Sequence, residues 1–321
     1  MISLGSVGSS GAAEYYAKDN YYTIEEGAEH SRWLGKGAEA LGLAGKVDPA
    51  VFERVLGGQL PDGSELTAAR GEHRPGLDLT FSVSKSVSLV ALLGGDSRVI
   101  EALRQSVAAT LGWAEKNLAQ ARVWDGSRQV TENTGNLVAA TFLHDVNRKG
   151  EPQLHVHAVI ANATLASDGK WHALRNDNFY SWQHTIGAVH NADLRARLEG
   201  LGYETVPARN PIDGSFEIKG IGREAVGAFS TRSAEIEAAL AKHGRGSPRE
   251  REIATLATRD AKDHGVDPAM RKAEWQATAK AIGLDVRPII DAALTRSERG
   301  ETVWTRVVDG IRGIGAKGLA L

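Results

Sequence analysis

Apolar and polar residues alternate along some parts of the chain and follow a helical period along others. In GLDLTFSV, the apolar residues Leu77, Leu79 and Phe81 alternate with polar ones, as in a strand with one buried face. Residues 96–122 have instead the apolar spacing of a long amphipathic helix. The pattern therefore predicts a chain that mixes strands with helices.

The remaining segments complete this prediction. Residues 135–146 and 152–164 read as two strands on either side of the polar turn NRKGE, which predicts an antiparallel hairpin. A second hairpin is predicted to close at Asp213-Gly214. Helical patterns cover four other segments, which are 11–20, two short helices within 35–63, 185–202, and the chain from 230 onward. The segment HGRGSPRE is predicted to break the last of them. Together these elements predict an α+β fold with an antiparallel sheet and a helical C-terminal extension.

Composition narrows the class of protein without identifying it. The net charge is -2 and the pI is about 6.6, so any binding to nucleic acid must come from local basic patches or a metal ion. The chain has no cysteine, which excludes disulfides and thiolate metal sites and fits a reducing cytoplasm. The N-terminus lacks signal-peptide features, and no apolar run approaches the roughly 20 residues of a membrane span, so no membrane insertion is expected.

Histidines on the first predicted hairpin give the strongest chemical signal. In LHVHA, His155 and His157 are two residues apart, so on a strand both imidazoles leave the same face. With the turn centred near residue 150, His144 falls opposite one of them, within the roughly 4.5–5.5 Å that separates cross-strand neighbours. Three imidazoles leave coordination positions open, which is the pattern of a catalytic metal site. The residues fit one divalent ion, and Mg²⁺ or Mn²⁺ would suit such an open site as well as Zn²⁺, so the sequence does not choose among them.

Carboxylate and phenol groups supply further candidates. Asp78 lies on the polar face of the strand 77–83, where it would accept the second N–H of a metal-bound histidine or the proton of a nucleophile. Four of the six tyrosines fall within EYYAKDNYY, at Tyr15, Tyr16, Tyr21 and Tyr22. Adjacent residues on a helix point about 100° apart, so one tyrosine of each pair is expected to face the site while its neighbour packs. A phenol with a pKa near 10 needs a metal or a base to act as a nucleophile.

These motifs together resemble a known family, the conjugative relaxases of the TraI/TrwC (MobF) type, which are HUH endonucleases. The resemblance covers about residues 1–290 and rests on six segments in the family's order: EYYAKDNYY, GKGAEALGL, GLDLTFSVSKSVS, GNLVAATFLHD, PQLHVHAVIANAT and AEWQATAKAIG. The chain departs from the family in having Val83-Ser84 before Lys85, where Ala-Pro is common. It also shows no phosphate loop of a C-terminal helicase, so we expect either an excised N-terminal relaxase domain, which the form of the tail favours, or a natural short form.

The resemblance implies a fold and a domain organisation. It implies an HUH palm, a central antiparallel sheet flanked by helices, followed by helical fingers that hold DNA. We place the catalytic palm at 1–240, the fingers at 241–300 and a linker-like tail at 301–321.

The resemblance also implies an activity, which is site- and strand-specific nicking and strand transfer at a plasmid origin of transfer. Tyr15 matches the tyrosine that attacks the scissile phosphate and stays bound to its 5′ phosphate, and Tyr21 or Tyr22 matches the pair implicated in a second transfer. The three histidines match the metal ligands, and Asp78 matches the carboxylate beside them. The enzyme is expected to be a monomer in the bacterial cytoplasm, with accessory relaxosome proteins and a coupling protein as partners.

Contacts to the DNA are predicted from basic residues alone. Recognition of a hairpin and a single strand calls for Arg and Lys on phosphates and aromatic side chains on bases. The candidates are Arg70, Arg74, Lys85, Arg148, Lys149, Arg195 and Arg197.

Three other functions fit part of the pattern. A rolling-circle initiator or a transposase would share the site and differ in the DNA it cuts. A non-enzymatic single-stranded DNA-binding module would use the tyrosines for stacking. A metal phosphodiesterase that uses water would leave the tyrosine cluster unexplained.

Overall fold

Alternating apolar residues build the central sheet. The computed structural model describes residues 2–9, 16, 30–66, 73–208, 213–243 and 267–300. Its main sheet has five antiparallel strands in the order β1-β3-β7-β6-β2. These strands are β1 (Ile2–Ser6), β2 (Ser31–Leu34), β3 (Gly76–Ser82), β6 (Ala139–Val146) and β7 (Pro152–Ala161). Mixed with the helices, this sheet confirms the predicted α+β fold.

Three two-stranded ribbons accompany the sheet in the described part of the chain. They consist of β4 (Gln120–Trp124) with β5 (Gln129–Asn133), β8 (Thr164–Leu165) with β9 (Trp171–His172), and β10 (Thr205–Pro207) with β11 (Phe216–Ile218). The last ribbon confirms the second predicted hairpin, although residues 209–212 of its loop lie outside the described residues.

Ten helices are present in the described part of the chain. The first five are α1 (Lys36–Ala40), α2 (Pro49–Leu56), α3 (Lys85–Leu92), α4 (Ser97–Leu118) and α5 (Asp177–Ser181). The others are α6 (Gln183–Gly200), α7 (Arg223–Ala228), α8 (Thr231–His243), α9 (Pro268–Ala281) and α10 (Arg287–Glu298). The boundary of 240/241 between palm and fingers stays a prediction, and it falls inside α8.

The sequence prediction was wrong at the end of the long helix. Helix α4 ends at Leu118 rather than at residue 122, and the chain enters β4 at Gln120. The side chain of Asp96 caps the start of this helix by accepting a hydrogen bond from the Arg98 N–H at 3.1 Å, which explains its confirmed beginning.

Each face of the sheet buries its own apolar layer. Alternate residues of β7 point to opposite faces, so Val156 enters the layer under α3, α4 and α6. Val159 enters the other layer, which contains Phe52 of α2 and Phe142 of β6. At the start of β3, Gly76 has φ +155°, and a Cβ there would lie 2.0 Å from the Ile160 carbonyl oxygen, so this close strand contact requires glycine.

The C-terminal helices pack onto the same core as the sheet. Trp275 of α9 and Ile290 of α10 are buried in the apolar layer that contains β3 and β7. The Trp275 indole N–H also donates to the carbonyl oxygen of Gly150 at 2.8 Å, in the turn that joins β6 to β7. Helix α9 therefore contacts the hairpin that carries the histidines.

Candidate active site

Strand pairing brings the three histidines of the hairpin together. His144 on β6 lies directly opposite His155 on β7, one of the two partners that the predicted turn allowed, and His157 lies opposite Phe142. The ring centroids are 4.9 to 5.2 Å apart in each pair. One nitrogen from each ring lies within 4.8 Å of the other two, a spacing at which the three side chains could hold a metal ion.

Hydrogen bonds at the second ring nitrogen orient two of the histidines. His155 Nδ1 lies 2.8 Å from the Gln153 carbonyl oxygen, and His157 Nδ1 lies 2.8 Å from Asp78 Oδ2. Both oxygens are acceptors there, so each Nδ1 carries the proton and each Nε2 keeps its lone pair for a ligand. Asp78 thus contacts His157, one of the two arrangements that the sequence analysis considered, and its role at a metal stays a prediction.

The third histidine, His144, has a ring nitrogen that lacks a hydrogen-bond partner in the described part of the chain, which supports a metal site. His144 is buried, and its Nε2 has no hydrogen-bond partner among the described residues. A buried polar nitrogen without a partner costs about 1–3 kcal/mol unless another group binds it. A metal ion shared with His155 and His157 would satisfy this atom, so the residues fit the group.

Burial favours the neutral form of two of the imidazoles, those of His144 and His155. Desolvation lowers the pKa of His144 well below its usual value, and the nearby His155 and His157 lower it further. Desolvation, with the charge of His157, lowers the pKa of His155 to about 4. Neutral imidazole is the form that binds metal, so both side chains are ready to do so at neutral pH.

Tyr16 completes the group on the same face of the sheet. Its ring is stacked on Phe142 with centroids 5.8 Å apart, and it also contacts Phe52 and His157. Its hydroxyl donates to Asp78 Oδ2 at 3.1 Å, so one carboxylate oxygen serves both the phenol and the imidazole. Tyr16 is 5% exposed, which matches the expectation that one tyrosine of a pair packs.

The other tyrosines of EYYAKDNYY lie outside the described residues. These are Tyr15, Tyr21 and Tyr22. Their roles therefore stay predictions, and only Tyr16 of the four has a described position.

Thr80 is a residue of this group that the sequence prediction missed. It lies opposite His157 in the pairing of β3 with β7, and its hydroxyl is 3.2 Å from His157 Nδ1 and 3.4 Å from Asp78 Oδ1. The alternation that placed Asp78 on the polar face also places Thr80 there, two residues on. The two-residue alternation of side chains along β3 would therefore have predicted the position of Thr80.

The basic residues predicted to contact DNA differ in burial and in their partners. Lys85 is buried, donates from Nζ to the Pro152 carbonyl oxygen at 2.7 Å, and has a pKa that burial lowers to about 8. Lys149 pairs with Glu235 at 2.9 Å. Arg74 is exposed and Arg148 is half-buried, while Arg70 lies outside the described residues.

The two arginines of α6 bind carboxylates within their own helix. Arg195 pairs with Glu199 at 2.8 Å, and Arg197 pairs with Asp193 at 2.5 Å. A role for any of these basic residues on DNA stays a prediction.

Comparison with known proteins identifies a family that this chain matches over most of its length. Residues 9–282 match the family model described as TrwC relaxase. The multifunctional conjugation protein TraI of Escherichia coli (strain K12) is 43% identical over 312 residues, which is 93% of this chain and 17% of TraI. The chain thus spans about a sixth of the length of that relative.

Solved structures give the same result. The conjugative relaxase TrwC in complex with OriT DNA, in a copper-bound form, has a TM-score of 0.82 and 40% identity, covering 89% of this chain and 99% of that one. A metal-bound complex of TrwC with OriT DNA has a TM-score of 0.81 and 41% identity, with the same coverage. TrwC with a 27-mer comprising the recognition hairpin and the cleavage site has a TM-score of 0.80, 39% identity and again the same coverage.

Proposed function

The chain belongs to the TrwC relaxase family, and we propose that it nicks one strand of an origin of transfer and holds the cut end covalently. One observation carries this proposal. The three imidazoles, the Asp78 carboxylate and the Tyr16 hydroxyl form a single connected group on one face of the sheet. A metal-binding group that contains a phenol hydrogen-bonded to a carboxylate suits attack by tyrosine on a phosphodiester.

The residues divide the chemistry between them. His144, His155 and His157 would hold one divalent ion, with Mg²⁺ or Mn²⁺ as first choice and Zn²⁺ as alternative. When bound, the ion neutralises charge on the scissile phosphate and makes phosphorus more electrophilic. Asp78 fixes His157 with Nε2 free, and its Oδ2 already accepts a hydrogen bond from a phenol.

In the proposed reaction the phenol oxygen of Tyr15 forms a bond to phosphorus and the bond to the 3′ oxygen breaks. The phenolic proton passes to a base, for which Asp78 is the candidate, and the released 3′ oxygen takes up a proton. The product is a 5′-phosphotyrosyl ester, whose free energy is close to that of the original diester, so the transfer is reversible. Tyr21 or Tyr22 would then serve a second, terminating transfer, with Tyr16 as the packed neighbour of Tyr15.

The substrate, the partner proteins, the oligomeric state and the cellular location are proposed from the family. DNA with a hairpin beside a single strand is the proposed substrate, and a TrwC structure with a 27-mer that comprises the recognition hairpin and the cleavage site supports the hairpin. Accessory relaxosome proteins, a coupling protein, a monomeric state and a cytoplasmic location are proposed on the same basis. Among the described residues, no helix is long and apolar enough to cross a membrane.

A covalent adduct is the decisive test. The chain would be incubated with Mg²⁺ or Mn²⁺ and single-stranded oligonucleotides tiled across the origin of its parent plasmid, and intact masses would be measured. We expect a protein–DNA adduct on one oligonucleotide, lost in Tyr15→Phe and with a chelator. Tyr180→Phe is the matched control, because this tyrosine is 46% exposed and lies on α5, outside the group described above.

Two results would contradict the proposal. The first is the absence of any adduct across the whole origin with metal present. The second is multiple turnover that releases a free 5′ phosphate without an adduct, which would indicate attack by water.

A further inference from the structure

The ladder between β6 and β7 is irregular just beyond the histidine pair. His144 pairs with His155, and the register then shifts, so that the next pair is Val146 with Pro152. Proline has no backbone N–H and cannot donate to the ladder. The spacing of the two histidines therefore depends also on the contacts that hold the turn itself.

Asn147 and Glu151 close this turn through their side chains. Asn147 Oδ1 accepts the backbone N–H of Lys149 at 2.9 Å and that of Glu151 at 3.1 Å. Asn147 Nδ2 in turn donates to Glu151 Oε2 at 2.6 Å. The two residues thus fix each other, and one carboxylate oxygen of Glu151 is used within the turn.

The other carboxylate oxygen of Glu151 holds the start of α8. This helix begins at Thr231, whose backbone N–H donates to Glu151 Oε1 at 2.7 Å and whose hydroxyl donates to the same atom at 2.6 Å. The first N–H groups of a helix have no partner within it, and a negative charge is favourable at that end. Glu151 therefore caps α8 from another element, although 80 residues separate it from Thr231 in sequence.

Two neighbouring residues of the turn contact the C-terminal helices as well. Lys149 forms an ion pair at 2.9 Å with Glu235, which lies one turn along α8. The Gly150 carbonyl oxygen accepts the Trp275 indole N–H from α9. Together with Glu151, three consecutive residues of the turn are bound to α8 or α9, so the turn lies where the C-terminal helices meet the hairpin.

We propose that Glu151 is a positioning residue of the metal site. Its carboxylate fixes the β6–β7 turn to α8, and the turn keeps His144 and His155 at the spacing that a shared ion requires. Glu151 lies four residues before His155 and acts on it through the strand. The proposed function enters only in taking the three histidines as metal ligands. Because coupling between two sites is reciprocal, an ion bound at the histidines also stabilises the start of α8.

The metal affinity of Glu151→Gln is the first test. Glutamine keeps the length of the side chain but carries no charge for α8, and its NH₂ group meets a donor whether it points to Asn147 Nδ2 or to the Thr231 N–H. Mn²⁺ would be titrated into the metal-free whole chain at pH 7.5 by calorimetry. We expect roughly threefold to tenfold weaker binding, less than the roughly 10–100-fold loss for a partner that contacts a metal ligand directly.

Asp285→Asn is the matched control. Asp285 also accepts a hydrogen bond at the start of a C-terminal helix, from the Arg287 N–H of α10 at 2.9 Å. Among the described residues, its hydrogen bond goes to α10 and not to the β6–β7 turn. The control should bind Mn²⁺ like the wild type, and circular dichroism of each metal-free protein would show that it is folded.

Hydrogen exchange separates positioning from a merely structural role. Peptide masses would be followed for the start of α8 with and without Mn²⁺, in the absence of DNA. In the wild type the ion should slow exchange there by about the factor that Glu151→Gln loses in affinity. In Glu151→Gln the ion should leave this exchange unchanged while still slowing it in β7. If Glu151 only stabilised α8, its replacement would speed the metal-free exchange, and Mn²⁺ would have no effect on α8 in either protein.

Thr231→Ala is a second variant, which leaves every residue of the hairpin in place. It removes the hydroxyl donor on the α8 side, while the backbone N–H of residue 231 still donates to Glu151. Mn²⁺ binding should therefore weaken by a smaller factor than in Glu151→Gln. This variant supplies the test if Glu151→Gln does not fold.

Each outcome decides the proposal. Equal Mn²⁺ affinities for Glu151→Gln, Thr231→Ala and Asp285→Asn would overturn it, and so would exchange at the start of α8 that does not respond to the ion in the wild type. A wild type that binds no Mn²⁺ would overturn it together with the metal site. A missing adduct would contradict the nicking reaction alone, because none of these measurements needs DNA.

Discussion

Replacing Asp78 with asparagine would disturb the proposed metal site without touching a ligand. The carboxylate receives His157 Nδ1 at 2.8 and 3.1 Å and the Tyr16 hydroxyl at 3.1 Å. Asparagine keeps one acceptor oxygen and presents an NH₂ group in place of the other. Where that NH₂ group meets His157 Nδ1, the nitrogen must become an acceptor and the ring proton moves to Nε2, which removes the lone pair needed for a metal.

The size of this effect follows from the contacts that are lost. Loss of a hydrogen-bonded partner behind a metal-binding histidine typically weakens metal affinity 10–100-fold, which corresponds to about 1.4–2.7 kcal/mol. The hydrogen bonds of a charged carboxylate contribute about 1.5–3 kcal/mol each, which agrees with that range. We therefore expect Asp78→Asn to bind Mn²⁺ at least tenfold more weakly than the wild type at pH 7.5.

The measurement is a calorimetric or electron paramagnetic resonance titration of Mn²⁺ into the metal-free protein. The chain offers a matched control in Asp168→Asn, because Asp168 also pairs with a histidine, His172, at 3.0 Å, but at the surface and away from the triad. The control should bind Mn²⁺ like the wild type. Equal affinities for Asp78→Asn and Asp168→Asn would refute the inference that Asp78 orients a metal ligand.

Other expected outcomes concern stability. Tyr16→Phe keeps the ring on Phe142 but loses the hydrogen bond to Asp78, so urea unfolding should show a loss of about 1 kcal/mol. Trp275→Phe removes the donor to Gly150 and should cost about 1 kcal/mol, whereas Trp182→Phe, in an exposed position, should change stability by less than about 0.5 kcal/mol. In chelator, stability should be complete above about pH 6.5 and fall towards pH 4, by about 3 kcal/mol from His155 alone. The reason is that the folded pKa of His155, about 4, lies below the unfolded value, so the unfolded state takes up a proton at a higher pH than the folded state does as the pH falls. Urea midpoints that stay constant between about pH 6.5 and pH 4 would contradict this expectation.

Strand period carried most of what the sequence revealed about the site. The turn and the spacing of two residues placed His144 opposite His155 or His157, and the structure pairs it with His155. The same reasoning missed α3, because every residue of this helix is buried and a fully buried helix has no polar face to mark its period. It also missed β4, whose residues QARVW continue the pattern of α4 closely enough to be read as one helix. The short edge strands β1 and β2 contain too few residues for alternation to be distinguished from a turn.

The sequence predicts that Tyr15 and Tyr16 have different roles, but only the tertiary contacts indicate which of the two is packed. Helical geometry states only that the two rings cannot share one role. The tertiary contacts identify Tyr16 as the packed tyrosine of the pair, because its ring is stacked on Phe142 and its hydroxyl donates a hydrogen bond to Asp78. A ring held in that way has little freedom to approach a phosphate, but its hydroxyl helps to fix the carboxylate that also holds His157. Tyr16→Phe should therefore weaken Mn²⁺ binding by a smaller factor than Asp78→Asn and leave adduct formation possible, whereas Tyr15→Phe should abolish the adduct at unchanged metal affinity. An adduct that survives in Tyr15→Phe and is lost in Tyr16→Phe would reverse the two assignments.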